Sequence, residues 1–332
     1  MKQKLSNAWT RYSFIFIFVV IFLFYMAVSN GLTWGGVTNI LRHSAVIGLV
    51  SLGVALVIVT GEIDLSVGSM LAFISGFSVC VFNVSHSIFL TFLFALLCGA
   101  LCGLFNGVLV GEAKMPSFIV TLATMLIYRS LAQYYCQRMD SAVTGGGNSL
   151  FKMSRDIDGY SLLYGFGNNK FLSVPNVGWV LLLFAALTVY AATSTKFGKK
   201  LYAIGSNEKS ARLAGINVPL NRTAVFVICG IMTGLGAFLW VCMNGSADPA
   251  TTGKSYEMYA IAAVVLGGIA MSGGKGEMSG VLFGAMSYTI IDKIIVALKM
   301  DSLINDTIKG VILIVAILVQ TSGPALRQRL KR

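Results

Sequence analysis

Apolar runs of about 20 residues recur from the first segment of the chain to the last, and each is long enough to cross a hydrocarbon layer of about 30 Å as a helix. They are read at 13–28, 44–60, 65–83, 88–110, 116–136, 176–194, 223–243, 257–271, 278–298 and 302–320. The pattern predicts an all-α fold: one polytopic membrane domain, 1–332, with about ten transmembrane helices. The first run resembles a secretory signal with small residues at Ala27 and Ser29, but the many runs that follow favour a retained first span.

Charge is concentrated in the links between runs and at their ends, with Arg129 the exception. The chain is 56% hydrophobic and only 11% charged, with a formal net charge of +12. In a soluble protein that excess would suggest nucleic acid; here it has a simpler source in basic links, so no nucleic acid is implied. With the amino terminus in the cytoplasm and ten spans, Lys2, Lys4, Arg11, Lys114, Lys275 and the tail residues Arg327, Arg329, Lys331 and Arg332 fall on the same side. Both termini are therefore expected to be cytoplasmic.

The most concentrated link is the island 195–222, which holds Lys196, Lys199, Lys200, Lys209, Arg212 and Arg222 against one acid, Glu208. Asn207 is placed to cap a short helix with Glu208 in its first turn, and Gly215 is a favoured left-handed stop. About two turns result, with Leu213 and Ala214 as a small apolar face beside Glu208 and Arg212. Composition alone leaves two readings open: a solvated loop that only sets topology, or a docking helix for a cytoplasmic partner. The longest hydrophilic segment, 137–175, reads as turns and loops with one short surface helix.

Residues that carry chemistry are sparse. Cys80, Cys98, Cys102, Cys136, Cys229 and Cys242 show no pairing framework, and neither they nor His43 and His86 suggest a metal site. The sequence has no phosphate-binding glycine loop and no nucleophile–base pair, so no catalytic residue and no cofactor are expected. All the acids are read at span ends, with Asp64 able to cap the third span and the stretch from Asn244 to Tyr256 taken as an outer link. Arg129 alone approaches mid-span and is read first as an anchor reaching outward, with a substrate contact as the alternative. An uncharged path suits a neutral, hydroxyl-rich solute, and Asn106, Phe118, Thr121, Thr124 and Tyr128 are candidates to line it. Their bland reading is helix packing. Glycines at four-residue spacing, Gly99, Gly103 and Gly107, then Gly230 and Gly234, then Gly276, Gly280 and Gly284, predict close helix contacts. The glycine- and acid-bearing turns after the second and eighth runs are faintly alike, as an internal duplication would make them.

Four strings taken together resemble a known family: 60–69 (TGEIDLSVGS), 116–122 (PSFIVTL), 202–207 (YAIGSN) with Ala211 and 215–218 (GINV), and Gly267-Gly268 through Ser272-Gly273-Gly274. They are similar, in order and over about 39–323, to the permease subunits of bacterial ATP-binding-cassette sugar importers of the ribose, xylose and galactoside type. The resemblance implies a bacterial inner-membrane permease, a cytoplasmic ATPase subunit, a second permease subunit (the same or a paralogous chain) and a periplasmic sugar-binding protein. It implies that Gly205, Asn207, Glu208, Ala211, Arg212 and Gly215 couple to the ATPase, and that Gly61, Glu62, Asp64, Ser66 and Gly68 form an inner-face motif. Glu62 stands where the family more often has glycine, and 137–175 is longer and more charged than the family pattern. The rival reading is an ion-coupled secondary carrier or facilitator for a small neutral solute.

Overall fold

The computed structural model describes residues 2–29, 31, 33–300, 304, 306–311 and 314–315. In chain order they form α1 (Lys2–Val28), α2 (Trp34–Val59), α3 (Val67–Ser85), α4 (Ile88–Gly111), α5 (Ser117–Arg138) and α6 (Ser141–Thr144). Next come β1 (Phe151–Lys152), α7 (Tyr160–Asn168), β2 (Lys170–Phe171), β3 (Val174–Pro175), α8 (Asn176–Ser194), α9 (Lys196–Ser206) and α10 (Glu208–Leu213). The chain continues through α11 (Val218–Asn244), β4 (Ser246–Ala247), α12 (Tyr256–Leu266) and α13 (Met278–Ala297).

Among the described residues six helices, α2, α3, α4, α8, α11 and α13, are long and apolar enough to cross a membrane, so the chain is an all-α membrane protein. Local signals set several of their ends. Thr33 and Ser87 accept hydrogen bonds from Gly36 N and Leu90 N, and Asn217 accepts one from Leu220 N. These caps satisfy amides that the helix itself cannot. Gly245, at φ +66°, stops α11 in the left-handed region. The strands are two-residue pairs, β1 with β4 and β2 with β3, both antiparallel.

The helix boundaries differ from the sequence expectation in several places, the first helix beginning at Lys2 and α11 at Val218. The second run is helical from Trp34, and the third starts only at Val67. The eighth run is an 11-residue helix, about 16 Å long and too short to span. The segment 137–175 holds two helices and three short strands rather than turns with one helix. The last run, 302–320, and the basic tail lie largely or wholly outside the described residues.

The two ends of the bundle can be named by what they carry. The island end holds α9 and α10. The cap end holds 139–175, fastened to α3 by Asn83, whose Nδ2 donates to Val143 O (2.9 Å) and Lys152 O (3.0 Å) and whose Oδ1 accepts from Ser154 N. Helix α2 runs through the middle, nearly all of its residues from Ser44 onward lying out of contact with solvent. Around it, α11 packs on α4 through the glycine rows: a Cβ on Gly99 would overlap the Gly230 carbonyl, and one on Gly103 the Phe226 carbonyl. At this spacing the backbones touch, and dispersion across the contact replaces the hydrophobic drive that lipid removes.

Gly103→Leu is therefore expected to destabilise the chain by about 2–3 kcal/mol in thermal unfolding in detergent, because neither facing backbone can withdraw. Gly35→Ala, whose Cβ would find its nearest neighbour 3.9 Å away, serves as the matched control and should be neutral or slightly stabilising.

Candidate functional site

At the island end the expected capped helix forms. Asn207 Oδ1 accepts from Ser210 N at 2.9 Å, α10 follows, and Gly215 turns the chain at φ +77°. The face turned inward is Ala211, which packs with Ile204 and Val218 in a small apolar cluster, while Leu213 and Ala214, the apolar face read from the sequence, are exposed. Leu213 stands 90% exposed at the tip. The helix α9 before it was not foreseen. It is strongly one-sided, with Gly198, Leu201 and Ile204 buried and Lys199 and Lys200 exposed.

Three chain segments interlock beneath these helices. Gly274 N donates to Val59 O at 2.9 Å, Tyr202 Oη donates to Gly276 O at 3.0 Å, and a Cβ on Gly205 would overlap Val59 O. Gly273 lies against Gly61 at the same place. The two glycine turns that look alike in sequence therefore touch each other, with α9 across them.

A line of charge ties α10 to this junction. Arg212 donates to Glu208 Oε1 at 2.7 Å, Arg222 NH2 to Glu208 Oε2 at 2.7 Å, and Arg222 Nε pairs with Glu62 Oε1 at 2.8 Å. Arg222 and Glu62 are only 17% and 13% exposed, whereas Glu208 and Arg212 are open to water. The inner pair is thus screened less than the outer one. Glu62, the departure from the family pattern, is the residue that connects the α2–α3 link to the island.

From Gly61 the link climbs into the bundle. Asp64 is fully buried; its Oδ1 accepts from Ser66 N (2.9 Å) and Ser66 Oγ (2.7 Å), and Asn106 Nδ2 donates to Ser66 Oγ at 2.9 Å. Cys229 of α11 lies against the same carboxyl. Ser66, not Asp64, occupies the residue before α3. Asn106 and Cys229 are five and eleven residues from the island ends of α4 and α11, or roughly 8–16 Å inward. Asp64 therefore lies inside the bundle rather than at a span end. The reason is the extended 60–66 segment, which rises into the bundle where a turn at its end was expected.

A second break meets this one. Arg129, about 18 Å along α5, donates through one terminal nitrogen to Pro249 O (3.0 Å) and Thr252 O (2.6 Å). The stretch 248–255 thus descends into the bundle instead of crossing its surface. Gly68, in the first turn of α3, packs on Gly253, Tyr256 and Glu257 at the start of α12. The half-buried Glu257 is consequently also drawn in from the outer position assigned to it. Arg129 acts as an anchor for backbone. Bonds of this kind, between residues more than a hundred positions apart, leave no local sequence signal.

The candidate path residues are not grouped around one opening. Thr121 Oγ1 donates to Ser117 O and approaches Ile63 O, Thr124 Oγ1 donates to Val120 O, and Tyr128 Oη donates to Cys102 O. Asn106 holds Ser66, while Phe118 points outward and is 54% exposed. Among the described residues no cluster of histidine, cysteine and carboxylate side chains could hold a metal.

Residues 36–317 match the family described as branched-chain amino acid transport system / permease component. The chain is 32% identical to the ribose import permease protein of Escherichia coli (strain K12), the alignment covering 96% of each chain. It is 33% identical to the ribose import permease protein of Bacillus subtilis (strain 168), over 94% of this chain and 92% of that protein. It is also 30% identical to the xylose transport system permease protein of Escherichia coli (strain K12), over 90% of this chain and 88% of that one. No solved structure matches the chain.

The charge line carries a pH signature. Arg212, with Arg222 acting in the same direction, holds the Glu208 carboxyl below its ordinary value of 4.5. A depressed carboxylate stabilises the fold above its unfolded value, and that contribution is lost as pH falls through the folded one. Below about pH 4.5 the unfolding temperature of the unaltered chain should fall more than that of Glu208→Gln, by the equivalent of less than about 1 kcal/mol because the group is exposed. Parallel pH profiles would mean that the carboxylate is not engaged.

Proposed function

We propose, from the fact that this chain belongs to the branched-chain amino acid transport system / permease component family, that it is the permease subunit of an ATP-binding-cassette importer. It is a multi-pass protein of the bacterial inner membrane and a transport component, not an enzyme. Its cargo is a neutral sugar or related polyol, the class to which ribose and xylose in its relatives' names belong.

On this reading the chain crosses the membrane ten times, the descending stretch 248–255 and α12 making one crossing together. The island end faces the cytoplasm and the cap end the periplasm, in keeping with the lysines and arginines of 195–222. The partners are a cytoplasmic ATPase subunit, a second permease chain and a periplasmic sugar-binding protein.

One observation carries the coupling: α10 presents the exposed Leu213 at its tip while its root is bonded through Arg222 to Glu62. Leu213 and Ala214 enter an ATPase groove, and Glu208 and Arg212 set the angle of the helix. When the ATPase pair closes on ATP, α10 is displaced, and the Glu208–Arg222–Glu62 line passes that displacement to the link 60–66. That link ends at the junction of α3 with α12, so the two half-buried breaks move together. Gly205 and Gly215 permit the close seating and the turn that this geometry needs. Solute passes along the exposed face of α5, which carries Phe118, while Asn106, Thr121 and Thr124 hold the backbone behind it. The ion-coupled carrier reading is not favoured, since the family and the relatives' names are those of transport-system permease components.

The test is co-purification and stimulated ATP hydrolysis in nanodiscs. Leu213→Asp should reduce recovery of the ATPase at least tenfold with no change in the chain's own unfolding temperature. Glu62→Ala should leave recovery intact and lower sugar-stimulated hydrolysis several-fold. Full coupling in both variants, or sugar uptake by the chain reconstituted without any ATPase, would overturn the proposal.

A further inference from the structure

A cavity of about 590 Å³ lies between α1, α2, α12 and α13, within the size range of small-molecule sites, about 300–1,000 Å³. Its wall is aromatic, with Tyr256 and Tyr259 from the first turn of α12 and Tyr288 from α13. The rings of Tyr259 and Tyr288 are 4.9 Å apart and those of Tyr256 and Tyr259 6.1 Å. His43 and Lys293 also line it.

Part of this lining is already bonded. Lys309 Nζ pairs with Asp292 at 2.6 Å and lies 4.5 Å and 5.1 Å from the rings of Tyr259 and Tyr288, while Tyr259 Oη donates to Asp306. Among the described residues the remaining polar groups have no such partner. Tyr288 is 5% exposed, and its hydroxyl makes no hydrogen bond among the described residues. No described residue hydrogen-bonds or ion-pairs with the His43 ring or the Lys293 ammonium either. A buried hydroxyl without a partner costs about 1–3 kcal/mol, so the arrangement calls for a partner that enters from the cavity.

The order of polarity along α13 identifies the chemistry. Toward the middle of the bundle stand Tyr288 and Thr289, whereas Val296 and Ala297 form the rim near the cap end, Val296 being 75% exposed. Charge lies one turn below the rim, at Asp292 and Lys293, and hydroxyls continue beneath it at Tyr288 and Thr289, where a phospholipid would set its tails. A small polyhydroxy ring fits this order: aromatic faces take the C–H face of the ring, and the free hydroxyl, imidazole and ammonium donors take its oxygens.

We propose that this cavity binds an uncharged, monosaccharide-sized polyhydroxy solute, entered past Val296 from the cap end. The choice of solute rests on the permease reading above. Tyr256 joins the cavity to the transport machinery, because it also packs on Gly68 where α3 meets α12. An occupant therefore touches the junction that the charge line reaches from the other end.

Saturation-transfer NMR on the purified chain in nanodiscs, without ATPase or binding protein, tests the site with ribose and xylose as probes. Saturable binding of at least one sugar is expected, weakened about tenfold by Tyr288→Phe and abolished by Val296→Trp, a rim change that fills the mouth without touching a bonded group. Val296→Trp should unfold at the temperature of the unaltered chain, and Tyr288→Phe at that temperature or above it, since it removes an unpartnered hydroxyl. Absence of saturable binding, equal binding by both variants, or a phospholipid retained by the unaltered chain and lost in Val296→Trp would each overturn the proposal. A parallel uptake assay with ATPase and binding protein separates the two readings. Import without direct sugar binding removes the cavity site and leaves the permease, whereas sugar binding without ATPase-driven import removes the permease reading alone.

Discussion

Backbone amides and carbonyls inside hydrocarbon have no water to bond, so a helix can break there only where protein supplies the missing partners. The bundle contains two such breaks, and each is met by named side chains. At 60–66, Ser117 Oγ accepts from Ile63 N at 3.2 Å, and Asp64 accepts from Ser66. At 248–255, Arg129 donates to two carbonyls, while Thr252 N bonds Asp248 O and Asp248 N bonds Thr252 Oγ1. This accounts for a charged residue in α5, a helix of spanning length that is not among the six apolar ones. Without the guanidinium, the descending loop would leave buried oxygens bare.

Because both breaks are stabilised from neighbouring helices, α3 and α12 can begin inside the bundle and meet at Gly68 and Gly253. Glycine is required there by contact as much as by conformation, as it is where Gly267 faces Gly280 and Gly205 faces Val59. The result is a continuous run of contacts from the island end to the middle of the bundle. Island helices rest on the turn 272–276 and the end of α2, and the extended link carries the connection to mid-bundle. A pair of continuous helices in the same places would have no joint to move.

Glu62 and Arg222 give that joint its particular character in this chain. Their ion pair is largely shielded from water, while the Glu208–Arg212 pair above it is exposed. On the proposed coupling, force applied at α10 would be delivered through the better-shielded contact, which salt screens least. The aromatic cavity lies on the other side of α12, within reach of the same junction through Tyr256. Solute and nucleotide signals would meet at the start of α12 rather than at either membrane surface.

The sequence by itself determined what depends on neighbours along the chain. Run length and hydropathy specify an all-α membrane protein, Asn207 and Gly215 mark the ends of the short island helix, glycine spacing marks the α4–α11 contact, and four ordered strings identify the family. Tertiary structure alone decided what depends on partners far apart in the chain. Asp64 and Glu257 lie inside, Arg129 binds loop carbonyls, Arg222 joins Glu62 to Glu208, and four separated helices enclose the tyrosine cavity. Hydropathy records the average cost of burying a segment in lipid and is blind to which carbonyl an arginine will reach. A polar stretch that descends into the bundle therefore reads the same as one that stays at the surface.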